Sequence, residues 1–443
     1  MTNNLFEKLL GYAVIIDNGS GAIFQPMSHE YSYILTAKHN VIVDPEDLDS
    51  DLKTFSDIKI NTPDGSSFRV NNIFLHSDSG VDAALILTDK VDIDFINRYS
   101  FSLYDRMPIS IIGFPGVRSE FEEINDRHRK FDGCLSSYIN NSLIVEVTGF
   151  PDYEQIAGVS GGGVYRIIDG KFYLIGIQIG FDGNPEVERH GRLKCLHLNV
   201  FDEILNLRTD SYSPILPPHL LSFKYLINNI FPLEGASSEN NISFVRVYLK
   251  NLASSISIES NITPFDIFKL FGSKLLIANS SETDAHEVKL WVSFLEMMVI
   301  GKLIDNDCDL NVISLEKIMR KRRLLFSSTE ENWLRCLYDI FSSDLSGLQK
   351  GGTIIISTNT AHVRTSVKGD ALDSVITDIG RADQGLFNID DGIDLKTDYK
   401  LVHIDGISQD CITMKDEEYS QYNRFSHAGL EDKLKDGYSA FIS

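Results

Sequence analysis

The chain has few cysteines, no long apolar run and no excess of positive charge. Its five cysteines (Cys134, Cys195, Cys308, Cys336 and Cys411) are scattered through 443 residues, odd in number and nowhere spaced as CxxC. Free thiols in a reducing cytosol are expected rather than a disulfide framework. No stretch approaches 18 consecutive apolar residues, so no membrane span is expected. The opening segment, MTNNLFEKLLGYAVIIDNGSG, lacks a basic region followed by a clean apolar run and a small-residue cleavage site. No signal peptide is expected there, and the expected location is cytoplasmic. Lysine and arginine number 41 against 63 acidic residues, a net charge of −22. Phosphate attraction needs a basic surface, so this balance argues against direct nucleic-acid binding and against an anionic membrane as partner.

What is present suits a soluble globular protein of more than one domain. Apolar residues make up 43% and charged residues 23%, enough to build a sizeable core, and the length exceeds one ordinary domain. Short apolar or alternating runs recur between residues 11 and 200: Tyr12–Ile16, Ala22–Gln25, Tyr33–Thr36, Ala83–Leu87, Ile109–Ile112, Ser142–Val147, Gly163–Ile167 and Phe172–Ile179. Turn spellings such as Asn18-Gly19 and Asp169-Gly170 separate them. That rhythm predicts an all-β sandwich or barrel of antiparallel strands, closed by a short helix over Val200–Leu207. Residues 208–218, RTDSYSPILPP, resist helix and central strand alike. They are read as a linker between a domain at 1–207 and a second at 219–443. The second region reads as α+β. His286–Ile304 has the period of a buried amphipathic helix, Ser328-Thr-Glu-Glu331 spells a capping box before a helix at Asn332–Phe341, and Gly352–Ser357 reads as a strand.

Serine hydrolysis needs a weak nucleophile, a neighbouring base, a group that fixes the base's tautomer, and donors for the developing oxyanion. Four local patterns in the first domain meet those needs. His39 follows an apolar strand that ends in Thr36-Ala37. Asp82 stands at the mouth of the apolar strand Ala83–Leu87, where burial without a partner is costly. Ser160 lies within Gly158-Val159-Ser160-Gly161-Gly162, and glycine lets the backbone turn the N–H groups of Gly158 and Ser160 toward one point as an oxyanion hole. The glycine-bounded strand Gly176-Ile177-Gln178-Ile179-Gly180 offers an edge for an extended peptide.

The stretches GSGAIF (19–24), YILTAKHNV (33–41), VDAALI (81–86), IIGFPG (111–116), GVSGGGVY (158–165) and LIGIQIG (174–180) together resemble the trypsin-like peptidases, closest to the HtrA-type branch. The resemblance covers roughly residues 10–207. It implies two six-stranded β-barrels, with His39, Asp82 and Ser160 as the catalytic triad in the cleft between them and a protein or peptide substrate. Digestive relatives carry an aspartate just before the serine. Here Val159 stands there, so control by that zymogen ion pair is not expected. Glu154, six residues before Ser160, occupies the position that lines the primary pocket in trypsin-like enzymes. A buried carboxylate there favours Lys or Arg before the scissile bond, with Asp152 as the competing acid and a solvated loop as the plain alternative. Gly176, Ile177 and Gln178 are the expected substrate-binding strand. No cofactor or metal is expected.

A rival scheme takes Gly158-x-Ser160-x-Gly162 as the nucleophile elbow of an α/β-hydrolase, with Asp182 and His190 or His197 as partners; it requires a helix directly after the serine. Other features have plain readings. Arg320-Lys321-Arg322-Arg323 reads as a solvated helix face, with an acidic partner as the alternative. Asp305, Asp307, Asp309, Asn311 and Glu316 nearly spell a calcium loop, but Leu310 takes the place of its required glycine. Asp390-Asp391-Gly392 reads as turn chemistry, and His286, His362 and His427 show no metal-ligand spacing.

Residues 219–443 carry no motif from which chemistry follows. In organisation, and in GGTIIISTN (351–359), NIDDGID (388–394) and YKLVHIDGIS (399–408), the arrangement is similar to effector subunits of bacterial ABC-three-component (Lamassu-type) defence systems. That resemblance implies docking on partner subunits, an SMC-like ATPase and a further subunit. A quality-control protease and a catalytically silent scaffold are the alternatives.

Overall fold

The structure is a computed structural model and describes residues 2–121, 126–183, 191–208, 211–259, 262–305, 311–359, 366–367, 399–423 and 427–442. The calcium-like Asp307 and Asp309, the turn at 390–392, and Cys308, His190 and His362 lie outside the described residues. The chain divides into two compact units, Met1–Pro218 and His219–Ser443.

Two antiparallel barrels make up the first unit. Strands β1 (Ala13–Ile16), β2 (Gly19–Phe24), β3 (Tyr31–Thr36), β4 (Ile60–Asn61), β5 (Ser67–Phe68), β6 (Val70–Leu75) and β7 (Ala84–Asp89) form one sheet in the order β5-β4-β1-β2-β3-β7-β6. It curls into a nearly closed barrel around Val14, Ile16, Ile34 and Ile86, each at most 1% exposed. The second barrel uses β9 (Pro108–Gly113), β10 (Arg129–Ile139), β11 (Ser142–Val147), β12 (Gly163–Ile168), β13 (Lys171–Phe181) and β14 (Arg192–His197). It is closed, because β12 pairs with both β9 and β13, and closure removes the exposed edges an open sheet would leave. A two-residue strand, β8 (Asn97–Arg98), adds to β13 in parallel. The expected double barrel is therefore present, with seven strands rather than six in the first sheet.

The strands β10 and β14 escaped the sequence reading. In β10 the apolar alternation is broken by Gly133 and the Ser136-Ser137 pair, as the mixed burial along Arg129–Ile139 shows, and in β14 the alternation spans only the four residues Arg192–Cys195. The proline-rich segment is not a free linker. Tyr33 Oη donates to Ser213 O at 2.7 Å, and Ile215 is fully buried in the barrel core. These contacts hold the segment on the first unit.

The second unit is mixed α and β. Strands β15 (Arg322–Ser327), β16 (Thr353–Thr358) and β18 (Lys400–His403) run parallel, with β17 (Ser366–Val367) antiparallel at the edge. The helix Val288–Asp305 packs on β15 and β16 and on the helices Glu239–Glu259 and His427–Ile442. It is buried on nearly every side, which explains its apolar run better than the single amphipathic stripe expected. The expected capping box is not used. Asn332 caps a 3₁₀ turn, Trp333–Cys336, that leads into the helix Leu337–Ser342.

Only half of the basic cluster is a solvated helix face: Arg320 and Lys321 end the helix Val312–Lys321, with Arg320 exposed. Arg322 and Arg323 sit in β15 and are buried; Arg322 pairs with Asp305 at 2.7 Å, and Arg323 donates to the carbonyls of Asp344 and Ser346. Buried guanidinium groups require such partners. Asp305, read as the first ligand of a calcium-like loop, serves that pair.

Candidate active site

His39 sits in the 3₁₀ turn Lys38–Asn40 that ends β3. A strand end is a rigid place for an imidazole, because Thr36 is still tied into the sheet through Ala84. Asp82, at the start of the neighbouring β7, grips the turn twice. Its Oδ1 accepts from the His39 main-chain N–H at 3.0 Å, and its Oδ2 lies 2.8 Å from His39 Nδ1. The two side chains are 22% and 14% exposed, so the pair is shielded but not sealed. With Nδ1–H given to the carboxylate, Nε2 carries the free lone pair, the tautomer a general base requires.

Ser160 lies between the two glycine turns that enter β12. Gly158 has φ +94° and Gly161 has φ +90°, conformations that L side chains rarely adopt. A Cβ on Gly161 would stand 1.9 Å from Ser20 O. The loop is pinned by residues of the first barrel. Ser20 N and Asn40 Nδ2 both donate to Ser160 O at 2.8 Å, and Ser20 Oγ donates to Gly158 O at 2.8 Å. Sequence reading passed over Ser20 and Asn40. Their only signals are position, beside Gly19 and beside His39. Among the described residues, the N–H groups of Gly158 and Ser160 donate to no protein acceptor, while those of Val159, Gly161 and Gly162 do. Two neighbouring free donors are what an oxyanion requires.

Ser160 Oγ itself donates to Ile179 O at 3.2 Å. Among the described residues no hydrogen bond joins it to His39. Both line one cleft of about 630 Å³, together with Gly158, Gln178, Ile179 and Gly180. Val159 is fully buried in the second barrel's core, so no carboxylate stands at the position of the digestive enzymes' ion pair.

The expected substrate contacts are placed differently. Glu154 is exposed, in the four-residue helix Tyr153–Ile156, and does not line the cleft; Asp152 is its N-cap, accepting from Gln155 N at 3.0 Å. A carboxylate that can stay hydrated turns outward, and Tyr153, Ile156 and Phe181 line the wall instead. Gly176 and Ile177 are not an open edge, because each pairs with β12 on one side and β14 on the other. Gln178 exchanges backbone bonds with Gly161 and Gly162. A bulge follows at Ile179. Beyond it, Gly180 and Phe181 keep β14 as a partner but lose β12, so the free edge begins there.

The elbow scheme finds no support in this geometry. The residues after Ser160 continue into strand β12, not a helix. Asp182 pairs with Arg192 at 2.9 Å. His197 is pushed down to about 4 by burial and the nearby Arg98, and its Nδ1 accepts from Asn199 N.

Residues 195–413 match the family model of C-terminal domain 4 (CTD4) of the ABC-three component (ABC-3C) systems. That segment of the chain is similar to an ABC-3C domain. The match begins inside β14 and runs to Thr413, so it takes in the end of the barrel unit and most of the second. A domain of a three-component system implies partner subunits. Within the matched residues, Lys289 Nζ bonds Asp405 at 2.7 Å, and the fully buried Glu296 accepts from Phe231 N at 2.6 Å. Burial first, and then the Asp405 charge, push the Glu296 carboxyl up to about 7 against the opposing pull of Lys289. Burial acts to lower the Lys289 ammonium, but Glu296 and Asp405 outweigh it and hold it above the ordinary lysine value.

Among solved structures, the chain is similar to Rv3671c of M. tuberculosis H37Rv in an inactive mutant form, at 14% identity over 47% of this chain and 92% of that one, with a TM-score of 0.33. A second structure, of the Rv3671c protease in an inactive form, matches at 14% identity over 46% and 93%, also with a TM-score of 0.33. No curated protein matches the chain. No helix among the described residues is long and apolar enough to cross a membrane.

Proposed function

We propose that the chain is a serine endopeptidase, the effector of a bacterial anti-phage ABC-3C complex. The observation that carries this reading is the double grip of Asp82 on His39, main chain and ring together, in the cleft that also holds Ser160. A carboxylate that fixes both the position and the tautomer of an imidazole is arranged for general-base chemistry. Ser160 attacks the scissile carbonyl, His39 Nε2 takes its proton and returns it to the leaving amine, and Asp82 stabilises the imidazolium between those steps. The N–H groups of Gly158 and Ser160 receive the oxyanion.

In this reading, residues 219–443 bind partner subunits, one of them an SMC-like ATPase, and proteolysis is held off until they signal. The bond from Ser160 to Ile179, and not to His39, supports a resting state. A fluorophosphonate probe tests the chemistry. It should label the wild-type chain and not Ser160→Ala, and failure to label the chain with its partners present would sink the enzyme assignment. Rapid degradation of unfolded casein by the chain alone would favour a quality-control protease instead.

A further inference from the structure

We propose that Asn40 is a positioning residue that holds the Ser160–Gly161 peptide in register with the catalytic base, an inference that rests on the serine-protease reading. Asn40 is the residue after His39, in the same 3₁₀ turn, and is only 8% exposed. Its Nδ2 donates to Ser160 O at 2.8 Å and to Thr36 Oγ1 at 2.9 Å. Thr36 spends its own proton on Ser20 O at 2.7 Å. The atoms facing Asn40 Nδ2, namely Ser160 O, Thr36 Oγ1 and Ser20 O at 3.4 Å, are therefore all acceptors, which fixes the NH₂ end toward Ser160 and not the carbonyl end.

The peptide unit after the nucleophile is then tied at three points. Ser160 O receives Ser20 N and Asn40 Nδ2, and Gly161 N donates to Gln178 O at 2.7 Å. One short turn thus carries the base on His39 and the clamp on the backbone of Ser160. Any tilt of that peptide moves Ser160 Oγ and the Ser160 N–H together, relative to His39. Gly19 makes room for the clamp, since a Cβ there would stand 2.2 Å from Asn40 Oδ1. The turn is braced from outside by Lys53, whose Nζ donates to Asn40 O at 3.0 Å and to Asp17 at 2.9 Å.

The test uses the full chain and fluorophosphonate labelling rates. Asn40→Asp keeps the size and replaces three donated bonds with a carboxylate facing three acceptors. The expected rate is about tenfold below wild type near neutral pH. Gly19→Ala, which touches neither the base nor the nucleophile, should slow labelling in the same direction by crowding Asn40. As pH falls and the new carboxyl takes up a proton, it regains an O–H donor, so the ratio of Asn40→Asp to wild type should rise toward one; loss of fold alone would not recover this way. Wild-type rates for Asn40→Asp and Gly19→Ala would overturn the inference. If the wild type does not label even with its partner subunits present, the protease reading fails, and amide exchange of the segment 158–163 decides the clamp. Faster exchange at Gly161 in Asn40→Asp supports it, and unchanged exchange overturns it.

Discussion

Ser160 Oγ donates its proton to the carbonyl of Ile179 at 3.2 Å, while the His39 imidazole, the proposed acceptor of that proton, is held on its far side by Asp82. A carbonyl oxygen is too weak a base to activate a hydroxyl. Ile179 is the bulged residue where β13 gains a free edge, so an extended peptide adding to that edge competes for the same oxygen. In the proposed mechanism, engagement of substrate or partner frees Ser160 for His39. Labelling of the isolated chain should be about tenfold or more slower than labelling with partner subunits present. Equal rates would remove the resting state.

Asp82→Asn should leave the fold intact and remove the charge that steadies His39 as an imidazolium. Peptide hydrolysis is expected to fall on the order of 10³–10⁴-fold, with unchanged circular dichroism. A variant within tenfold of wild type would mean that Asp82 serves the turn and not the chemistry.

Gly161→Ala should destabilise the barrel unit. The left-handed backbone costs an L residue about 1–2 kcal/mol, and the added methyl collides with Ser20 O. A loss of roughly 2–3 kcal/mol lowers Tm by about 5–10 °C, readable by thermal denaturation.

The cleft wall contains Tyr153 and Phe181, whose rings stack with centroids 6.0 Å apart, and Glu154 is turned to solvent. Peptides with an apolar residue before the scissile bond should outrun those with Lys or Arg in kcat/KM. Glu154→Gln should leave that ranking unchanged. A strong preference for Lys that Glu154→Gln abolishes would restore the acid as the pocket's base.

Glu296 is buried in the second unit with its carboxyl raised from 4.5 to about 7. The folded state holds that proton more tightly than the unfolded one, so stability falls as pH rises from about 4.5 through about 7. Glu296→Gln keeps an acceptor for Phe231 N and removes the titration. Its denaturation midpoint should gain on wild type across that window and hold a constant lead above it. Lys289 retains Asp405 as its partner throughout. A pH-independent difference would show that Glu296 does not titrate there.

By itself the sequence determined an all-β first domain, read as a double barrel through its resemblance to the trypsin-like peptidases, the places of His39, Asp82 and Ser160 along it, and the change to an α+β pattern after the prolines. Those features are local: apolar alternation sets strands, glycines mark the turns around Ser160, and each chemical residue stands beside its own strand. Tertiary structure alone decided what depends on long-range pairing. Asn40 and Ser160 are 120 residues apart, and no local rule joins them. The bulge at Ile179, rather than the glycines at 176 and 180, decides where an edge is free. Glu154 turns outward because hydration costs less than burial without a cation. The arginines at 322 and 323 turn inward because Asp305 and two carbonyls wait for them. Sequence names the groups that can do chemistry, whereas burial and pairing across the chain determine which of them meet.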